Sequence, residues 1–447
     1  RAQTNSEGDS HPLTGFFWSC FRLPGGILMT MRAHLMSIAR FLHRPPAPGV
    51  LGFAVIAGFE AVVRGIVLAV YPLLMYRAWG DAVVVSKWYL GVGLFSLLTA
   101  LTVPMLTRYL SRRWVYALGL SLYLLSAVFG MVGGKATTAA LLCHAMAAAT
   151  AFVCFNAYVL DHVAKPDFGR LESLRLLYGG AGWTVGPVMG VWLMQLWSGA
   201  PFVIVALGAM GMLGLIWRMR LGNARVHVLA NNRKVSHNPI VFLRRFFTQP
   251  RLVAGWFFAV MRSCGWWVYI VYVGIFAVQN GLGDQVGGMA TSLANAGLFV
   301  APLMLRWIQR HSVRKAVRSG FLLGGGCFIL AALVSPWPWA TVAMLVTGSL
   351  FLVLLDICGG LPFLMSVKPS QRTEMSAVYS SFRDVSGIIS PGIAWLALQF
   401  APVAGVFAMG GLGLIAAWAV AGHLHPHLGV PGAKRVRDRS TASAGST

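Results

Sequence analysis

Seven side chains that carry or accept charge lie inside long apolar runs: Glu60, Arg64, His144, Arg262, Asp356, Arg383 and Asp384. In hydrocarbon each ionised group costs about 2.5–3.5 kcal/mol on insertion scales, so each marks a transport pathway or an ion pair. Arg64 and Arg262 are 198 residues apart and stand at matching places in two halves of the chain. Two guanidiniums converging on a central cavity would clamp a carboxylate or phosphate through paired N–H groups. The bland reading is that each arginine holds an acid and ties helices together. Glu60 precedes Arg64 by four residues and shares its helix face, so the two either form a static pair or exchange a proton when a substrate competes for the arginine.

Aromatic and amide groups surround these charges at helical spacing. Tyr71 continues the face of Glu60 and Arg64, while Trp266 and Tyr269 continue that of Arg262. Such rings wall a binding cavity and stack on a planar substrate, or they mark membrane–water interfaces. Tyr178, Tyr379 and Asn156 are further candidates for hydrogen bonds to a ligand, although asparagine also joins helix to helix. Asp356 is followed by Gly359, Gly360 and Pro362 and is a second candidate for proton coupling. An Asp356–Arg383 pair is expected, as a gate or as a structural bridge, with Asp384 beside it. His144 reads as a packed polar side chain rather than a proton relay.

Other chemistries find little support. No nucleotide-binding loop or nucleophile motif is present, so the chain does not read as an enzyme and implies no cofactor. The six cysteines form neither a CxxC pair nor a disulfide framework. His423, His425 and His427 are spaced by two before a basic tail, which reads as an exposed end rather than a metal site. The net charge of +24 falls in loops between apolar runs, which argues against a nucleic-acid partner and for a lipid one.

The elements that must position these groups follow from composition. Hydrophobic residues make up 57% of 447, charged residues 11%, and mean hydropathy is +0.70, whereas a soluble domain carries about 25% charged residues. With about 20 apolar residues needed per crossing, twelve spans are read. They cover 50–76, 83–106, 114–134, 137–160, 174–198 and 200–217, then 252–278, 288–308, 316–335, 339–365, 375–400 and 402–422. Alternate loops hold Arg108, Arg112, Arg113, Lys165, Arg170, Arg310, Arg314, Lys315, Lys368 and Arg372, while the opposite loops hold Arg77, Lys87 and Lys135. Both termini are therefore expected in the cytoplasm. The division is a tail over 1–49, a bundle over 50–217, a basic linker over 218–251, a second bundle over 252–422 and a tail over 423–447.

A duplication underlies the two bundles. Pro104, Arg108 and Arg112 recur as Pro302, Arg306 and Arg310 at the offset that also relates Arg64 to Arg262, and Arg170 recurs as Arg372. Gly182, Gly186 and Gly190, with Pro187 among them, give one smooth helix face for close packing. Over 50–422 the chain resembles the major facilitator superfamily. Arg108, Arg112 and Arg113 match the arginines of that family's loop between helices 2 and 3, with Val103 and Thr107 where glycine and aspartate are usual. The stretch from Asp161 to Arg170 resembles the family's connection between helices 4 and 5, and the Gly182–Gly190 run its helix 5 motif, which is associated with antiporters. Arginines on helices 1 and 7 are also similar to the arrangement in organophosphate:phosphate antiporters.

The resemblance implies an all-α membrane protein of twelve transmembrane helices in two pseudo-symmetric six-helix bundles. It also implies alternating access, with Asp161, Arg170, Arg306, Arg310, Arg383 and Asp384 as gating or structural charges. The expected function is secondary transport of a small organic or inorganic anion, coupled to a proton or a counter-anion, across a bacterial inner membrane. One alternative is proton-coupled export of lipophilic drugs through Glu60, which suits the 19 methionines. Another is a transporter-like sensor or scaffold that moves no solute.

Overall fold

The computed structural model describes residues 49–163, 167–219, 244–361, 363, 367, 375 and 378–423. Both tails, most of the basic linker, and Lys165, Lys368, Arg372, His425 and His427 lie outside them. Every regular element among the described residues is helical. That is the answer lipid demands, because a helix satisfies each backbone N–H and C=O within its own segment.

The first half comprises α1 (Val50–Trp79), α2 (Ala82–Tyr109), α3 (Arg112–Val132), α4 (Ala136–His162), α5 (Phe168–Leu196) and α6 (Ala200–Arg218). The second comprises α7 (Pro250–Gln279), α8 (Asp284–Ala296, a 3-10 turn over Gly297–Val300, then Ala301–Arg310), α9 (Val313–Leu333), α10 (Pro338–Cys358), α11 (Phe382–Ala397) and α12 (Val403–Ala421). Ten of these helices are long and apolar enough to cross a membrane. The other two, α5 and α11, occupy the expected places of the fifth and eleventh spans. The first is diluted by the glycines and proline of its packing face, and the second is 16 residues long in its described part.

Prolines explain where the long helices break. Pro72 removes a donor and presses on the carbonyl four residues earlier, and α1 is interrupted at Ala69. Pro302 does the same to α8 at its 3-10 turn, yet its repeat partner Pro104 sits inside an unbroken α2. The connection from α1 to α2 takes two residues. Gly80 closes α1 at φ 70°, a left-handed conformation that glycine adopts without strain, and Asp81 caps α2 by accepting from the Val83 N–H at 2.9 Å.

Within the first half, α1 lies directly on α5. A Cβ at Gly182 would meet Ala61, one at Gly186 the backbone of Gly65, and one at Gly190 the carbonyl oxygen of Ile66. The glycine run thus gives the close-packing face read from the sequence, and its partner is α1 of the same half.

The halves meet through α2 on α11 and α5 on α8, two pairs related by the repeat. Gly93 faces the Gly387 backbone, and the Val188 N–H donates to Ser292 Oγ at 3.0 Å. Further bonds between the halves gather at the end opposite the basic loops: Arg77 with Asp284, Ser86 Oγ with Tyr272 Oη at 2.6 Å, and Gln195 with Gln285 at 2.7 Å. That end is closed. Outside, Leu98, Leu101, Leu303, Leu333 and Phe400 stand exposed, as a lipid-facing surface requires.

Replacing Gly190 with leucine should force α1 off α5 and destabilise the protein by about 1–3 kcal/mol, whereas Gly214→Leu, at a site with open space around it, should be near neutral. Thermal unfolding of the two variants in detergent checks this.

Candidate functional site

Charges from both halves converge in the middle of the bundle. On α1, Arg64 Nη1 lies 3.5 Å from Glu60 Oε1, a loose contact one helical turn apart. The Arg64 side chain is 38% exposed while Glu60 is 12% exposed, so the arginine is the more accessible member of the pair. Its guanidinium also covers the ring of Trp183 on α5, at 5.2 Å from the centroid. The packing of α1 on α5 sets this stack, because Trp183 follows Gly182, which packs against Ala61 of α1.

The second half is wired differently. Arg262 Nε on α7 lies 3.0 Å from Asp356 Oδ1 on α10, an ionic contact without hydrogen-bond geometry. Trp266, one turn along α7, donates its indole N–H to Asp356 Oδ2 at 2.9 Å. Arg262 also covers Phe382, at 5.2 Å. Asp356 is therefore held by α7, and the expected Asp356–Arg383 bridge is not formed. Arg383 instead lies over Phe152 on α4, in the opposite half, at 4.8 Å, and over Phe382 at 5.7 Å.

Arg383 is exposed, and among the described residues no carboxylate lies within ion-pair distance of it. The guanidiniums of Arg64, Arg175 and Arg262 are all close enough to act on it electrostatically. Arg175, on α5, contacts Glu172 at 3.1 Å and covers Phe155 at 5.3 Å. Sequence reasoning passed over Arg175, Trp183, Phe152, Phe155 and Phe382. The signal available for Arg175 was its position eight residues before Trp183, two turns along one helix face.

Other candidates fall away from this centre. Tyr71 is 3% exposed and points into the first half, bonded to Ser126 Oγ at 2.8 Å and donating to the Ala140 carbonyl at 3.3 Å. Tyr269 is buried and donates to the Ala290 carbonyl on α8 at 2.7 Å. Tyr178 packs on Gly58, and the Asn156 amide returns to its own helix at the Phe152 carbonyl, 2.9 Å away. Tyr379 stacks on Phe363 with centroids 4.0 Å apart and stays within electrostatic reach of Arg262 and Arg383.

Of the residues read as gating or structural charges, those other than Arg383 and Asp384 sit at the basic-loop end. Arg112 pairs with Asp161, and Arg113 covers Trp217 at 3.6 Å. Arg108, Arg170, Arg306 and Arg310 are exposed at helix ends, and Asp384 is half-buried beside Arg383. Among the described residues no three His, Cys, Asp or Glu side chains come together as metal ligands.

The family model of the Major Facilitator Superfamily matches residues 53–391, most of both bundles. The chain belongs to the Major Facilitator Superfamily. Among solved structures, a point mutant of the nucleoside transporter NupG is similar at 14% identity and a TM-score of 0.65, covering 83% of this chain and 98% of that one. A POT family transporter in complex with a thioalcohol-conjugated peptide is similar at 13% identity and 0.62, covering 83% and 94%. Another POT family structure, in complex with 5-aminolevulinic acid, gives 12% identity and 0.64 with the same coverage. At such identities the likeness is one of fold. A search of curated proteins finds no match. This superfamily member is thus an integral, multi-pass membrane transporter and not an enzyme.

Removing one member of the Arg262–Asp356 pair leaves the other charge uncompensated. Arg262→Ala and Asp356→Ala should each destabilise the protein, and the double variant should fall short of the sum by about 0.5–3 kcal/mol. Denaturant unfolding of all four proteins measures that coupling, which should be absent for Arg262 with Glu172.

Proposed function

We propose that this transporter moves a small anion, held between Arg64 of the first half and Arg383 of the second. The observation that carries the reading is the exposed Arg383, with three further guanidiniums in electrostatic reach and no carboxylate within ion-pair distance among the described residues. The clamp read from the sequence paired Arg64 with Arg262. Arg262 is committed to Asp356 and 13% exposed, so Arg383 takes its place. Each arginine already rests a face on an aromatic ring, which leaves its N–H edge for a carboxylate or phosphate.

Alternating access follows from the closed end. With the basic loops in the cytoplasm by the positive-inside rule, the contacts Arg77–Asp284, Ser86–Tyr272 and Gln195–Gln285 shut the outer face. Rocking of the halves along α2–α11 and α5–α8 would break them and open the site outward. The loose Glu60–Arg64 contact supplies coupling: an anion that draws Arg64 away frees Glu60 to take a proton. Solved structures of this fold include a nucleoside transporter and complexes with a peptide conjugate and 5-aminolevulinic acid, which suits an organic solute. A bacterial inner membrane remains our assignment of place.

Thermal-shift screening of purified protein against phosphate, small carboxylates and lipophilic cations tests the reading. An anion at 100 times its dissociation constant should stabilise by about 2.7 kcal/mol, and the effect should vanish in Arg64→Ala and in Arg383→Ala. Stabilisation by cations that survives both substitutions would sink the anion clamp.

A further inference from the structure

The contact of α5 with α8, one of the two that join the halves, is tight along one line. A Cβ at Gly288 would meet Val191 and the Pro187 carbonyl oxygen, and the Val188 N–H donates to Ser292 Oγ at 3.0 Å. Beside this line lies a groove of about 190 Å³, lined by Val188, Met189 and Trp192 of α5 and by Gln285 and Met289 of α8. In the repeat-related contact of α2 with α11, side chains do the filling: Trp267 lies against Gly387 and Leu90 against Gly392.

The groove opens on the surface that meets lipid. Met189 and Trp192 belong to an exposed apolar stripe on α5 that Val185 and Leu196 continue at helical spacing, and Met289 is followed by exposed Leu293 on α8. At 1.5 Å per residue, Val188–Trp192 lie about 6–12 Å along α5 from its end at Leu196, on the side opposite the basic loops. The rim above is polar, with the Gln285 amide donating to Gln195 Oε1 at 2.7 Å and Arg77 paired with Asp284. Polar rim over apolar groove is the order of a phospholipid, headgroup above and chain below. Water suits the groove poorly, because it needs about two to four polar partners and the one amide in the lining is already bonded. An anion suits it no better. Methionine adapts its shape to an irregular neighbour, and tryptophan favours the depth just below the headgroups.

We propose that a phospholipid of the leaflet opposite the basic loops seats one acyl chain in this groove, its headgroup level with the Gln195–Gln285 bond. The groove continues the contact between the halves, so the chain touches both at once: Met189 and Trp192 on one wall, Met289 on the other. A chain there gains dispersion contacts on two sides, which a chain lying on a convex helix surface does not. The lipid therefore favours the arrangement in which this end is closed, and it leaves when α5 parts from α8. A ligand that binds one arrangement better shifts the protein toward it. That effect rests on the rocking of the halves proposed above, whereas the site does not.

Photolabelling tests the site. The full chain is placed in nanodiscs of phosphatidylcholine containing a small fraction of a phosphatidylcholine with a diazirine in one acyl chain, irradiated, and its peptides mapped by mass spectrometry. Adducts should gather on Met189, Trp192 and Met289 several-fold above the more exposed Leu98 and Leu101 of α2. Met189→Trp should abolish the adducts on Met289, and Met289→Trp those on Met189 and Trp192, because each fills the groove from one wall. The two variants lie on different helices, so one that fails to fold leaves the other to decide. Adducts spread evenly over exposed leucines, or unchanged in the folded variants, would overturn the site. A nanodisc mass of two copies with the groove unlabelled would also overturn it and make a second chain the occupant. Arg77→Glu sets a second carboxylate against Asp284 and should part the halves at that end, lowering the groove adducts several-fold. Undiminished adducts in that variant would overturn the tie to the closed end and leave the site standing.

Discussion

A guanidinium in the middle of a bilayer must meet a carboxylate, an aromatic face or a solute, and the centre of this bundle is built around that requirement. Arg64, Arg175, Arg262 and Arg383 each cover an aromatic ring, and three of them also contact an acid. The helix packing serves these contacts. Trp183 lies beneath Arg64 because the glycines of α5 let α1 approach to backbone contact, and Phe152 lies beneath Arg383 because the halves close around the centre. The aromatic face attracts the cation without neutralising it. At Arg383, which rests on Phe152 and has no ion-pair partner among the described residues, the positive charge is thereby kept.

The repeat supplies a symmetric frame with asymmetric wiring. Arg64 and Arg262 occupy equivalent places, yet Arg64 takes its acid from its own helix at 3.5 Å, and Arg262 takes its acid from another helix at 3.0 Å with Trp266 in support. The first pair can open without moving a helix. The second joins α7 to α10 and acts as a strut. A loosely held acid in one half and a tied one in the other follow from where the acids were placed on an otherwise shared plan.

Much of this was legible in the sequence, for reasons that can be named. Apolar runs and alternating basic loops are imposed by the solvent, so the all-helical class, ten of the twelve spans and the family came through. Glu60 and Arg64 were readable as a pair because four residues on a helix fix their neighbourhood. Asp356 was assigned to Arg383 instead of Arg262 because contacts between helices depend on rotation and tilt, which spacing along one helix does not carry. Tyr71 shares a helix face with Arg64 in the sequence, but α1 is interrupted at Ala69, and the tyrosine lies in the protein interior.

The broken α8 bears on how the protein senses the membrane itself. Its last segment, Ala301–Arg310, shows Leu303 and Trp307 to the outside and carries Arg306 and Arg310. The 3-10 turn at Gly297–Val300 lets that segment tilt by itself, while the matching end of α2 belongs to one rigid rod. A bilayer thinner than the bundle can be met by swinging this short amphipathic piece toward the headgroups, at a fraction of a kcal/mol per ångström of mismatch. Two halves that began as copies would then answer differently to the same change in lipid.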